Sequence, residues 1–432
     1  MKLDTVFQEI LSPEFKGFPY DAEPLRLDAL KHQGWNLLRG DLPLPVAVLK
    51  DSALRNNSAW MRRFTEHFGV RIAPHGKTTM APQLFQQQLQ DGAWGITVAN
   101  VHQLRMCRKW GVSRVLIANQ VVGLQELRGM MTELRESPEL EVFCLVDSVV
   151  NVHQLAEAAT VAKLEHPLLL LLELGVAKGR TGCRTETEAL AVARAVKNAA
   201  PRLHLRGVEG FEGLLKGRPD AEAQVQEFLQ RINQVAERCA TEGLFAEGPV
   251  ILTAGGSDFY DLVVQQLESP SGAHEVLRVI RSGCYLTHDS EYYQKMFRRI
   301  RERSPQVNDV GGGLQPALQV WGAVQSLPEP GLAIVTAGKR DLSYDVALPV
   351  PELHHRLGST QPPSALDDGR FQVTALNDQH AYLTIPEDAD WQVGDLVGLG
   401  ISHPCTTFDK WRLLYLVDDD WNVSGGIRTY LA

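Results

Sequence analysis

Between about residues 71 and 280, short β-branched or leucine-rich runs alternate with amphipathic stretches of helical length. This alternation constrains the fold more than any other feature. A strand followed by a helix brings the chain back to the same end of a parallel sheet, ready to add another strand. The candidate strands are 71–75, 95–98, 114–118, 141–146, 168–173, 205–210, 249–253 and 276–280, and segments such as 148–163 and 221–239 carry apolar residues at helical spacing between them. Eight strand–helix repeats over roughly 210 residues predict an α/β fold of the (β/α)8 barrel type. An open doubly wound sheet is the alternative that the same alternation allows.

Beyond residue 305 the texture changes. Gly311-Gly312-Gly313 breaks the chain, and short alternating runs follow at 317–324, 332–337, 372–376, 381–384, 395–399 and 413–417, separated by Pro, Gly and Asp. That pattern predicts a C-terminal antiparallel β-domain, with a long loop over the Pro-, His- and Ser-rich stretch 349–368. Ahead of the barrel, 45–50 reads as a strand and 53–68 as a helix. The expected division is an N-terminal segment 1–70 at the junction with the β-domain, a barrel over 71–305 and a β-domain over 306–432.

A chain of 432 residues exceeds one ordinary core. A formal charge of -9 argues against nucleic-acid binding, which needs a basic face. The longest greasy run, 168–172, is closed by Glu173 and is too short for a bilayer, and the N-terminus lacks a signal pattern. The six cysteines are scattered with no CxxC pair, which suits a reducing cytoplasm.

Barrels of this kind place chemistry at the C-terminal ends of their strands. Lys77 follows the first candidate strand, and a desolvated amine there would lose proton affinity and act as nucleophile or base. Gly255-Gly256-Ser257 follows the seventh strand and leads into a helical stretch. Two glycines and a helix start can cradle a phosphate, though the same residues also make a plain turn with an N-cap. In Ile401-Ser402-His403-Pro404-Cys405, an extended chain would bring His403 and Cys405 to one face. Imidazole plus thiolate suits zinc. The plain alternative is a buried cysteine beside a polar histidine.

Together Pro74-His75-Gly76-Lys77-Thr78, Arg180-Thr181-Gly182, Gly255-Gly256-Ser257, Arg281-Ser282-Gly283-Cys284-Tyr285, Ala337-Gly338-Lys339 with Ser343 and Asp345, and His403-Pro404-Cys405-Thr406 form an ordered set. From about residue 45 to the C-terminus, the chain resembles the D-serine dehydratase and D-threonine aldolase group of pyridoxal-phosphate (PLP) enzymes, which have the alanine-racemase type of fold. The resemblance implies a PLP barrel and a homodimer with active sites near the subunit interface. It implies that Lys77 is the Schiff-base lysine, with cofactor contacts from His75, Arg180, Gly255, Gly256, Ser257, Gly283, Cys284 and Tyr285. His403 and Cys405 would be metal ligands. A thiolate at position 405, where the aldolase branch carries a carboxylate, points to zinc and to dehydration of a D-β-hydroxyamino acid such as D-serine. Retro-aldol cleavage, racemisation and non-catalytic PLP binding are the alternatives. One departure stands out: Phe211 occupies a region where the family has a tyrosine near the pyridine nitrogen, which leaves Glu209 or Glu212 for that role.

Overall fold

The computed structural model describes residues 1–272, 275–366 and 369–431. The alternating runs form eight parallel strands: β1 (Arg71–Ile72), β2 (Ile96–Val98), β3 (Arg114–Gln120), β4 (Glu141–Val146), β5 (Leu168–Leu174), β6 (Leu203–Gly210), β7 (Val250–Ala254) and β8 (Val276–Ile280). From β2 to β8 each strand pairs with its sequence neighbour, and β8 returns to β1 through Ile280 opposite Ile72. Between β1 and β2 the ring is closed by the Trp94 amide on the Ile72 carbonyl (2.8 Å) and the Thr97 amide on the Pro74 carbonyl (2.9 Å). The barrel expectation therefore holds and the open sheet does not. β1 is shorter than expected. Pro74 has no amide proton for the ladder, and only an isolated bridge from His75 to Thr97 follows it.

Parallel strands covered on both faces read as continuous apolar runs, and the Leu-Leu-Leu-Leu-Leu-Glu-Leu of β5 is the clearest case. Ala73, Leu116, Phe143, Leu145, Leu171, Ile251 and Val279 fill the barrel interior. The opposite strand faces pack under the outer helices. Local chemistry sets the helix starts. Ser148 caps Val149–Ala162, and Thr185 with Glu188 makes a reciprocal capping box before Glu186–Asn198.

The second domain is antiparallel. Its long strand Leu318–Glu329 pairs with Leu396–Gly400, with Leu332–Val335 and with the N-terminal strand Val46–Lys50, which also lies parallel to Leu413–Val417. The N-terminal segment is thus built into the β-domain before Asp51–Phe68, a helix, leads to the barrel. The stretch read as a long loop contains a strand, Val350–His355, paired to Leu396–Gly400. Pro351 is tolerated there because the register shifts between Pro351 and Leu353; residues 367 and 368 of that stretch lie outside the described residues. A further strand, Val423–Arg428, pairs with Leu413–Val417 and was not expected from the sequence. Among the described residues no helix is long and apolar enough to cross a membrane.

Candidate active site

The C-terminal ends of the barrel strands and one corner of the β-domain enclose a cavity of about 350 Å3. Larger hollows lie at the N-terminal end of the barrel and between its outer helices. The strand C-termini hold the reactive groups, so the smaller cavity is the candidate site. Lys77 enters it from a single 3-10 turn, Gly76–Thr78, directly after β1. Its side chain is exposed at the mouth rather than desolvated, because the cavity opens to solvent; this corrects the expectation of a buried amine. His75 stands beside it with Nδ1 buried and unpartnered. Burial, reinforced by the positive charges of Lys77, Arg281 and Arg180, holds its imidazole well below the usual range and therefore neutral.

The floor is a layer of buried ionisable groups. Arg281 donates Nη1 to Thr253 Oγ1 (2.6 Å) and Nη2 to Glu209 Oε1 (2.5 Å) and to the Gly210 carbonyl (3.0 Å). Burial pushes the Glu209 carboxyl up to about 8 against the pull of the Arg281 guanidinium. Glu173 accepts from Gln120 Nε2 (2.5 Å) and Thr181 Oγ1 (2.9 Å), and burial raises it despite both. Glu212 Oε1 accepts the Gly256 amide (2.8 Å). Glu209 and Glu212 each keep a second oxygen, Oε2, buried without a partner. Neither glutamate lines the cavity; each stands one layer behind it, Glu209 through Arg281 and Glu212 through Gly256, and among the lining residues it is His75 that keeps a buried, unpartnered ring nitrogen. Phe211 lies beneath Arg180, whose guanidinium sits 5.1 Å from the ring centroid.

The glycine turn differs in detail from the expectation. The helix after β7 begins at Tyr260, with Phe259 as an uncapped N-cap, so Ser257 does not start it. Gly255 has φ +129°, a conformation suited to glycine, and a Cβ there would meet the Arg281 amide at 3.4 Å. The Gly256 amide is already engaged by Glu212, and its carbonyl accepts Ser282 Oγ (2.8 Å). Gly283 presses so closely on the first loop that a Cβ would lie 2.6 Å from the His75 carbonyl oxygen. Tyr285 is a correction. It is buried in the main core with its hydroxyl on Gln88, and it does not line the cavity. The tyrosine facing the cavity is Tyr293, which hydrogen-bonds Cys284.

His403 and Cys405 do meet at the cavity, but not on one face of a strand. His403 is the extended N-cap of a short helix, Pro404–Phe408, with Pro404 in its first turn, so a strand-to-helix corner brings the two side chains together. Asp345 grips this corner. One oxygen bonds His403 Nδ1 (2.6 Å) and the other accepts Thr406 Oγ1 (2.8 Å). Burial disfavours the imidazolium, yet contact with Cys405 and Asp345 outweighs it and raises His403 to about 9. The hydrogen bond from Cys284 and the His403 charge, working against burial, hold the Cys405 thiol well below its usual range. A carboxylate on one ring nitrogen with a thiolate beside the imidazole is the donor arrangement that suits zinc. Among the described residues no group of three or more His, Cys, Asp or Glu side chains is gathered to take a metal.

Comparison with known proteins accounts for both halves of the chain. The alanine racemase N-terminal domain matches residues 50–260, and the serine dehydratase domain matches residues 317–417. The chain belongs to the fold type III family of pyridoxal-phosphate enzymes. It is 28% identical over 314 residues to a 3-hydroxy-D-aspartate aldolase of Paracoccus denitrificans (strain Pd 1222), covering 72% of this chain and 75% of that protein. The fold is shared with the D-threonine aldolase of Filomicrobium marinum (TM-score 0.73, 21% identity, 92% and 97% of the two chains). It is likewise shared with a D-threo-3-hydroxyaspartate dehydratase from Delftia sp. HT23 (TM-score 0.70, 21% identity, 91% and 99%).

Within this family fold, the structure brings His75, Lys77, Arg180, Gly255, Gly256, Ser257, Gly283, Cys284, His403 and Cys405 to one cavity, turns Tyr285 away and keeps Glu209 and Glu212 behind the lining. Arg281 and Asp345 carry no expected role in the sequence, although both lie within its motifs. Arg281 follows a strand end directly and could have been read as a floor cation. Asp345 is 58 residues from His403 and carries no local signal.

Proposed function

We propose that the protein is a PLP-dependent lyase of D-β-hydroxyamino acids, eliminating water from a substrate such as D-serine to yield a 2-oxo acid and ammonia. The observation that carries this reading is the His403–Cys405 corner facing the same cavity as Lys77. The residues present fit the cofactor: a lysine at the mouth, the unpartnered buried Nδ1 of His75 in the lining, and a close glycine turn. Lys77 would hold PLP, and amides near Gly255, Ser257, Gly283 and Cys284 would receive its phosphate. The Gly256 amide would contribute only by leaving Glu212. When bound, PLP supplies the electron sink that makes loss of the Cα proton accessible. The Lys77 amine takes that proton. Arg180, exposed on the cavity rim, pairs with the substrate carboxylate or a cofactor oxygen.

His403 and Cys405 would hold zinc, which supplies Lewis-acid stabilisation of the departing β-hydroxyl. Asp345 fixes the imidazole so that Nδ1 is occupied and the other ring nitrogen is left for the metal. The second reading is retro-aldol cleavage to glycine and an aldehyde, favoured by the aldolase names of two of the relatives. A thiolate at 405 favours dehydration. The deciding experiment is a panel of D- and L-β-hydroxyamino acids, with and without a chelator, assayed for 2-oxo acid, for aldehyde and for the opposite enantiomer. Chelator-sensitive 2-oxo acid from D-substrates is expected; aldehyde as the main product would establish the second reading.

A further inference from the structure

The β8 loop and the β-domain corner each contribute a sulfur to the same point. Cys284 Sγ lies 3.8 Å from Cys405 Sγ, with Thr78 Oγ1 at 3.8 Å from the first sulfur and 3.5 Å from the second. A disulfide requires about 2.05 Å between sulfurs, so the pair must close by roughly 1.8 Å. The two thiols differ in access. Cys405 is partly exposed to the cavity, whereas Cys284 is buried at 5%. The other four cysteines, Cys107, Cys144, Cys183 and Cys239, are buried.

We propose that Cys284 and Cys405 form a redox pair that closes into a disulfide across the cavity and reopens with thiol. The co-reactant is a small-molecule disulfide of the glutathione type. The accessible Cys405 sulfur attacks it, forms a mixed disulfide and releases one thiol. The Cys284 sulfur, giving its proton to solvent, then attacks the Cys405 sulfur and displaces the second thiol. Two protein thiols are oxidised and one small disulfide is reduced to two thiols. The new bond ties the barrel to the β-domain and consumes the sulfur that would bind zinc. This effect on the metal rests on the reading of Cys405 as a ligand; formation of the bond does not.

The test incubates the full chain with oxidised glutathione, then counts thiols after denaturation and maps peptides by mass spectrometry. Free thiols should fall from six to four, with one Cys284–Cys405 cross-link and no retained glutathione, and dithiothreitol should restore all six. In zinc-loaded protein, one equivalent of zinc should appear on a chromophoric chelator as the thiols disappear. Cys284→Ser should stop at one glutathione per chain on Cys405. Six unreacted thiols, a stable glutathione adduct on Cys405 in the unaltered chain, or a cross-link to another cysteine would each overturn the proposal. Because none of these readouts measures turnover, the lyase reading and the redox pair stand or fall separately.

Discussion

The barrel mouth and the β-domain corner border one cavity but hold their polar groups in opposite ways. On the barrel side the floor groups, unlike the exposed Lys77 and Arg180 at the rim, are buried and locked together. Arg281 and Glu209 are 3% and 1% exposed in their side chains, and both sit on strand ends that the closed ring keeps in place. On the β-domain side, His403 and Asp345 remain 23% and 41% exposed, at a strand-to-helix corner contributed by a separate sheet. The difference suggests a division of labour. Under the proposed function, the barrel would supply a rigid setting for the cofactor, and the corner would supply the groups that select which bond breaks. A change at residue 403 or 405 can therefore redirect chemistry without dismantling the floor.

The sharpest way to break this comparison is at the lysine. Lys77→Ala should lower turnover at least ~10³-fold, within the range expected for a positioned acid–base group, and should remove the cofactor's visible absorbance. A variant that keeps that band would take Lys77 out of the cofactor's attachment. Next comes the corner. His403→Ala or Cys405→Ala should cost on the order of 10²-fold or more in elimination while leaving the absorbance band intact, and a chelator should reproduce the loss in the unaltered protein. Activity that survives both treatments would dissolve the proposed division.

A smaller effect is expected from the residue behind the histidine. Asp345→Ala should weaken zinc binding by roughly 10–100-fold, read by competition against a chromophoric chelator, with full occupancy recovered at high zinc. The smallest effect concerns the floor. Burial lifts the Glu209 pKa from 4.5 to about 8, so between these values the folded chain binds more protons than the unfolded one. Stability should therefore fall as pH rises from about 4.5 to 8. Glu209→Gln should flatten that fall by roughly 1 kcal/mol or more, measured as apparent melting temperature across the window. An unchanged slope would mean that the Arg281 contact keeps Glu209 ionised throughout.

Much of the architecture was legible from the residues, because hydrophobic periodicity is local. All eight barrel strands fall within a few residues of their expected places, as do the β-domain strands from 317 to 417 apart from Val350–His355 and the short Ser364–Ala365 paired to it. The longer strand was hidden by its prolines and histidines, which read as loop until the bulge between Pro351 and Leu353 accommodates them. The candidate site was legible where a motif sits at a strand end, as with Lys77 and Gly255. It was misread where direction mattered. Tyr285 and Tyr293 are both near the β8 loop, and only packing decides that the first enters the core and the second the cavity.

What the sequence determined by itself is the repeat of strands and helices, the change of texture after residue 305 and the identities of the groups at the strand ends. Those follow from side-chain period and from the turn chemistry of glycine and proline, which act over a few residues. Only the tertiary structure decided that Asp345 meets His403, that Arg281 anchors Glu209, and that Cys284 faces Cys405 from another domain. These contacts join residues 58, 72 and 121 positions apart. The first two partners are chosen by how the β-domain and the closed barrel each fold, and the third by how the two domains pack against each other, which no local pattern encodes.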